Sequence, residues 1–223
     1  MSELSLYRRI RPCLLPVLLT ALSTIGFAQG QSLSGAALVN ALRQGGCVLV
    51  MRHASSPAAL PDKAAADPQN LGRERQLDEV GRDSARAMGQ AIRVLKIPVT
   101  QVLSSPTYRA RETVRLAGLG TPEVVTELDA GGQHSMQAAA DEPRAAWLRH
   151  RVTLVPPKGA NTLIVTHAPN ILGAFGQSAA NLSDGETLVF RPDGKGSAAL
   201  LARIKIEEWP QLARADSAHG SPP

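Results

Sequence analysis

Two histidines and two arginines stand where apolar runs of strand length end. Cys47-Val48-Leu49-Val50-Met51 is followed at once by Arg52-His53. Val99-Thr100-Gln101-Val102-Leu103 leads into Ser104-Ser105-Pro106, with Arg109 one turn into a predicted helix. Thr162-Leu163-Ile164-Val165-Thr166 runs directly into His167. Arginine presents a fixed fork of donors for an anion, and a neutral imidazole can act as base or nucleophile. A single histidine at a strand end more often serves as a structural hydrogen-bond partner. Three strand ends marked in the same way point to convergence, because open α/β sheets bind ligands outside the carboxyl ends of their strands.

The elements that must position these residues are legible from pattern. Continuous apolar runs of five residues suit strands buried on both faces, as in a parallel sheet. Ser34 to Arg43 reads as a helix stopped by Gly45-Gly46. Asp78 to Lys96 is the strongest helix, with Val80, Ala87, Met88, Ala91, Ile92 and Leu95 at helical spacing and Pro98 beyond it. Pro106 opens a helix to about Leu116, and Asp141 is a candidate cap for a helix from Glu142 to about Val155. Val124-Val125 is a short strand, Ile171 to Phe175 looks helical, and Glu186–Arg191 and Ala198–Ile206 form a final strand pair. The tail after Gln211 is rich in Ala, Ser, Gly and Pro and reads as loose. Strands alternating with helices predict a three-layer α/β/α sandwich with a mostly parallel central sheet.

These motifs resemble those of the histidine phosphatase superfamily, the phosphoglycerate mutase-like family (branch 1). Val50-Met51-Arg52-His53-Ala54 is similar to its Arg-His-Gly signature. Ser104 to Thr113 is similar to the motif that supplies an arginine, here Arg109, and Val165-Thr166-His167-Ala168 to the motif written Val-Ser-His-Gly. Arg75 to Gly81 resembles the Leu-Thr-x-x-Gly segment that opens the family's first long helix. The resemblance spans roughly Gly46 to Ile206 and implies a phosphoglycerate mutase-like fold without a metal or other cofactor. It also implies hydrolysis of a phosphomonoester in a small phosphorylated substrate. His53 would be phosphorylated, Arg52 and Arg109 would clamp the phosphoryl oxygens, and His167 would donate to them. Ser55 is a further candidate phosphate contact.

The sequence departs from the family at several points. Ala54 and Ala168 replace glycines, and Ala59 stands where an asparagine is frequent. The general acid falls in Val125-Thr126-Glu127-Leu128-Asp129-Ala130. Glu127 is favoured over Asp129, with a site that uses neither as the third reading. That segment is also similar to small bacterial phosphohistidine phosphatases. A phosphoramidate leaves as an imidazole and needs less acid help, so that substrate class stays open, as does a phosphate-binding protein that has lost turnover. His134 lies in a Gly-rich loop, His150 reads as exposed, and Trp147 and Trp209 as core anchors. A neutral imidazole nucleophile predicts a rate that falls at low pH, and a rate flat to about pH 4 would argue against it.

Composition bounds the remaining possibilities. The 223 residues and 43% hydrophobic content suit one ordinary domain, and 3% aromatics leave its core to aliphatic side chains. The formal charge is +5, but its five Lys and nineteen Arg are scattered rather than clustered. A nucleic-acid partner is therefore not expected. Arg8, Arg9 and Arg11, then an apolar run from Cys13 to Phe27 and small residues to Ala28, form a signal-peptide pattern. Residues 1–28 are read as a cleavable leader, 29–210 as the domain and 211–223 as the tail. An uncleaved anchor is the alternative. Cleavage removes three Arg and one Glu and lowers the charge to +3. Export, to the periplasm, would leave Cys47 as the one cysteine, so no internal disulfide can form. No stable membrane association is expected after cleavage, and the oligomeric state is not encoded legibly.

Overall fold

The structure is a computed structural model and describes residues 32–129 and 142–219. The candidate leader, His134 and the candidate cap Asp141 lie outside the described residues. Six strands form one mixed sheet: β1 (Val48–Arg52), β2 (Val99–Ser104), β3 (Glu123–Val124), β4 (Asn161–Thr166), β5 (Thr187–Pro192) and β6 (Ala198–Ile204). Their order is β3-β2-β4-β1-β5-β6. The first four run parallel, and β5 and β6 add an antiparallel pair beside β1. The helices are α1 (Gly35–Arg43), α2 (Glu79–Val94), α3 (Tyr108–Ala117), α4 (Glu142–Arg151), α5 (Ala168–Phe175) and α6 (Glu208–His219). Among the described residues no helix is long and apolar enough to cross a membrane.

Alternation along the central strands divides the core in two. Leu49 and Met51 of β1 join Leu163 and Val165 of β4 against α1, α2, α3 and α6. Val48 and Val50 join Ile164, Leu188 and Phe190 against α4 and α5. Both faces of the sheet are thus covered, which is why its central strands read as unbroken apolar runs. Cys47 is fully buried and free, as its place in an apolar strand implied.

The start of α2 is built against the chain leaving β1. The Asp78 carboxylate accepts from the Gly81 N–H at 2.7 Å and caps the helix. Its other oxygen accepts from the Ser55 hydroxyl at 2.7 Å. Gly81 has no room for a side chain, because an added Cβ would lie 2.2 Å from the Ser55 carbonyl oxygen. Val80 is 70% exposed despite its place in the apolar rhythm. Ala85, Met88, Ala91 and Ile92 carry the buried face instead.

The tail expected to be loose is helical as far as His219. Its composition is Ala-rich, and alanine favours helix. Trp209 and Ala213, one turn apart, bury into the core cluster beside α2. Arg43 of α1 holds Asp216 through two bonds of 3.0 and 2.6 Å. Trp209 is fully buried, so Trp209→Ala should cost about 3–5 kcal/mol, read as a lower urea midpoint. A loss below about 1 kcal/mol would show that α6 contributes little to the fold.

Candidate active site

Strand register brings the two histidines together. Arg52 pairs with Thr166 across β1 and β4, and the His53 N–H donates to the Thr166 carbonyl at 2.9 Å. On the other side of β4, the Ser105 N–H donates to the Val165 carbonyl at 2.9 Å. The strands therefore end level, and His53 and His167 emerge with ring centroids 5.2 Å apart, edge to face. Helices α3 and α5 begin at these same strand ends. Their N-termini add partial positive charge to the place where an anion would sit. α5 starts earlier than its apolar residues suggested, because Pro169 fits a first helical turn and His167 takes the position just before it.

Arg109 joins the two rings. Its Nε donates to His53 Nε2 and its Nη2 to His167 Nδ1, both at 3.1 Å. Guanidinium nitrogens can only donate, so both ring nitrogens facing Arg109 are unprotonated acceptors. The protons then sit on the far sides. His53 Nδ1–H donates to the Ala54 carbonyl at 2.8 Å, and His167 Nε2–H to the Ser105 hydroxyl at 2.8 Å. Ser105 thus orients a histidine as well as shaping the turn before α3. The His167 proton expected to face a phosphoryl group is turned away from Arg109. A bound dianion would favour a second proton on this ring.

Electrostatics keep both rings neutral. Burial, with the Arg109, Arg52 and Arg75 charges, lowers the His53 pKa to about 3, although its bond to Ala54 acts the other way. Burial and the same arginines also hold His167 well below the ordinary histidine range. Arg109 is itself lowered to about 10 by burial and by Arg75, with Glu74 and Asp129 opposing. The low pKa of His53 revises the expected pH response. Protonation at ordinary histidine values is not expected, and a rate flat to about pH 4 becomes compatible with a neutral nucleophile.

Arg52 approaches from the β5 side. Its Nη1 donates to the Leu182 carbonyl at 2.8 Å, and its Nη2 lies 2.5 Å from the Asp184 carboxylate. The turn before β5 also bonds to the backbone at His53, with Gly185 N–H donating to the His53 carbonyl at 3.0 Å.

Arg75 was not singled out from sequence, where one arginine among nineteen in a polar stretch has no periodic signal. Its guanidinium donates to the carbonyls of Pro57 and Ser56, and its charge acts on His53, His167 and Arg109. The preceding residue, Glu74, accepts from the Tyr108 N–H at 2.9 Å. That contact caps α3, since the Thr107 side chain does not.

The remaining candidates separate. The Ser55 hydroxyl is bonded to Asp78 at the start of α2. Glu127 lies in a short 3-10 turn, is exposed, and accepts from the Thr126 hydroxyl at 3.1 Å. Asp129 is the nearby carboxylate that acts on Arg109. Asn170 holds that turn in place by donating to the Asp129 carbonyl at 2.9 Å and to Thr166 Oγ1 at 3.1 Å. His150 is exposed, Trp147 half-buried and Trp209 fully buried. Among the described residues no group of three or more His, Cys, Asp or Glu could hold a metal ion.

The family model of the histidine phosphatase superfamily (branch 1) matches residues 48–166, from β1 to the end of β4 and just over half the chain. The chain belongs to this superfamily. No curated protein sequence matches it. Among solved structures, its fold is similar to that of the protein histidine phosphatase SixA complexed with tungstate. That likeness has a TM-score of 0.52 at 19% identity and covers 73% of this chain and 98% of the other. A structure assigned as the phosphohistidine phosphatase SixA of Nakamurella multipartitia matches at TM-score 0.49 and 22% identity, over 71% and 94% of the two chains. A phosphoserine phosphatase of Entamoeba histolytica matches at 0.46 and 13%, over 72% and 98%.

The assigned tautomers are directly measurable. Nitrogen-15 NMR of the imidazoles should find His53 neutral, with its proton on Nδ1, at pH 5. A cationic ring there would contradict the burial argument. Folding carries the matching sign. A histidine held below its unfolded value of about 6.5 binds its proton less well when folded, so stability is lost as pH falls from about 6.5 toward about 3.

Proposed function

We propose that this protein is a phosphatase that hydrolyses a phosphomonoester through a phosphohistidine on His53. The observation that carries the reading is the Arg109 guanidinium set between two neutral imidazoles, one with its Nε2 lone pair directed inward. In the first step Arg109 Nε passes from His53 Nε2 to a phosphoryl oxygen, and the freed Nε2 lone pair attacks phosphorus. The P–N bond forms as the P–O bond to the leaving group breaks. The Ala54 carbonyl holds the Nδ1 proton and stabilises the charge that grows on the ring. Arg52, Arg75 and Arg109 neutralise the phosphoryl oxygens, with His167 beside them. In the second step a water oxygen attacks phosphorus, the P–N bond breaks and inorganic phosphate leaves.

Asp129, rather than Glu127, is our assignment for the group that protonates the leaving oxygen, supported by its half-buried place on the turn that Asn170 ties to Thr166 beside His167, and by the exposure of Glu127. The same carboxylate would then take a proton from the attacking water. A phosphohistidine substrate is the second reading. It is supported by fold likeness to SixA and by the lower acid demand of an imidazole leaving group. The pattern of residues 8–28 supports export of the enzyme.

Steady-state assays on aryl and alkyl phosphates and on a phosphohistidine peptide test these proposals. His53→Ala should lower kcat/KM by about 10³-fold or more. A wild type inert on the whole panel would leave only a phosphate-binding protein. Asp129→Asn should lower kcat/KM for alkyl phosphates by about 10²-fold while sparing kcat/KM for a nitrophenyl ester, whose leaving group needs no proton. An equal loss on both esters would reject Asp129 as the acid. A matching loss in Glu127→Gln alone would restore the assignment to that residue.

A further inference from the structure

The turn between α5 and β5 delivers a carboxylate to the guanidinium that should bind phosphate. Asp184 lies 2.5 Å from Arg52 Nη2, and its charge also acts on Arg75. The turn that carries it is built in place by several contacts. Gly185 has φ +71°, and an added Cβ would meet the Ile206 side chain at 2.6 Å. The Ser183 N–H donates to Glu186 Oε2 at 2.9 Å, and Arg203 Nε donates to Glu186 Oε1 at 2.6 Å. The Arg52 N–H donates to the Glu186 carbonyl at 3.0 Å. The backbone at Arg52 and its guanidinium are therefore gripped by one segment, residues 182–186, from the side opposite β4.

We propose that Asp184 is an internal competitor for the phosphoryl group, sharing Arg52 with it and promoting release of inorganic phosphate. The inference rests on the proposed phosphoryl site. A carboxylate oxygen and a phosphoryl oxygen are both acceptors for Arg52, and Asp184 already pairs with Nη2 and offsets part of the charge a phosphoryl oxygen would meet there. Asp184 can yield, because its side chain is 39% exposed and water can receive it. Orienting Arg52 does not require it, since Nη1 is separately held by the Leu182 carbonyl. Its electrostatic effect on an incoming dianion is repulsive, and it opposes the attraction of Arg52 and Arg75. As phosphate departs, the carboxylate re-forms its pair with Arg52 and lowers the free energy of the product-free site. Affinity for substrate and for product is thereby held down together.

Calorimetric titration of inorganic phosphate into the full chain, wild type against Asp184→Asn and Asp184→Ser, provides the test. Thermal melts verify that each variant is folded. Both variants should bind phosphate about 3–10-fold more tightly than wild type. Inorganic phosphate should also inhibit nitrophenyl phosphate hydrolysis at correspondingly lower concentration. A residue that merely supports Arg52 would give the opposite sign, with weaker phosphate binding. Unchanged or weakened binding, in variants that still hydrolyse the ester, would overturn this inference and leave the phosphatase reading standing. No phosphate binding by any form, wild type included, would overturn both.

Discussion

A single half-buried guanidinium between two imidazoles constrains the rest of the site. Arg109 can donate to both rings only if both are neutral on the facing nitrogens. Neutrality in turn requires the rings to be withdrawn from water and placed among positive charges. Both histidines are buried, and the charges of Arg52, Arg75 and Arg109 act on them. The cluster repels protons and attracts anions for the same physical reason. In the proposed reaction a phosphoryl dianion would answer the excess charge while His53 stays unprotonated at Nε2.

The sheet makes this arrangement possible by levelling three strand ends. Parallel β1, β4 and β2 terminate together because their ladders continue through His53 and Ser105 onto β4. Arg109 arrives from α3, whose first turn is capped by Glu74 of the loop that also supplies Arg75. The antiparallel side contributes differently. Beside β1 it adds no histidine, but its entering turn grips Arg52 and brings Asp184 beside it. A parallel core that gathers the reactive groups and an antiparallel edge that restrains one of them is a division of labour fixed by topology.

Much of this arrangement is legible in the amino-acid sequence. Val48 to Met51 and Thr162 to Thr166 announced buried strands because nothing polar interrupts them, and the residues just beyond them had to stand at the strand ends. What stayed hidden has definite causes. Arg75 and Asp184 lie in turns, where no periodicity marks one charged residue from its neighbours. The short segment containing Glu127 and Asp129 offered two adjacent carboxylates. In the structure the 3-10 turn leaves Glu127 exposed and Asp129 half-buried. The end of the chain misled by composition, since Trp209 and Ala213 form an apolar stripe too short to register as a helical pattern. The pH expectation is revised because a sequence carries no burial, and burial is the first cause of the His53 shift.

The central claim is covalent chemistry at one nitrogen. Acid-free quenching during turnover of an aryl phosphate, followed by peptide mass spectrometry under basic conditions, would test it directly. The account predicts a phosphoryl group on His53, absent in His53→Ala, with hydrolysis continuing in the wild type. Sustained turnover with phosphate found on another residue, or with no phosphoenzyme even after rapid quenching, would contradict it.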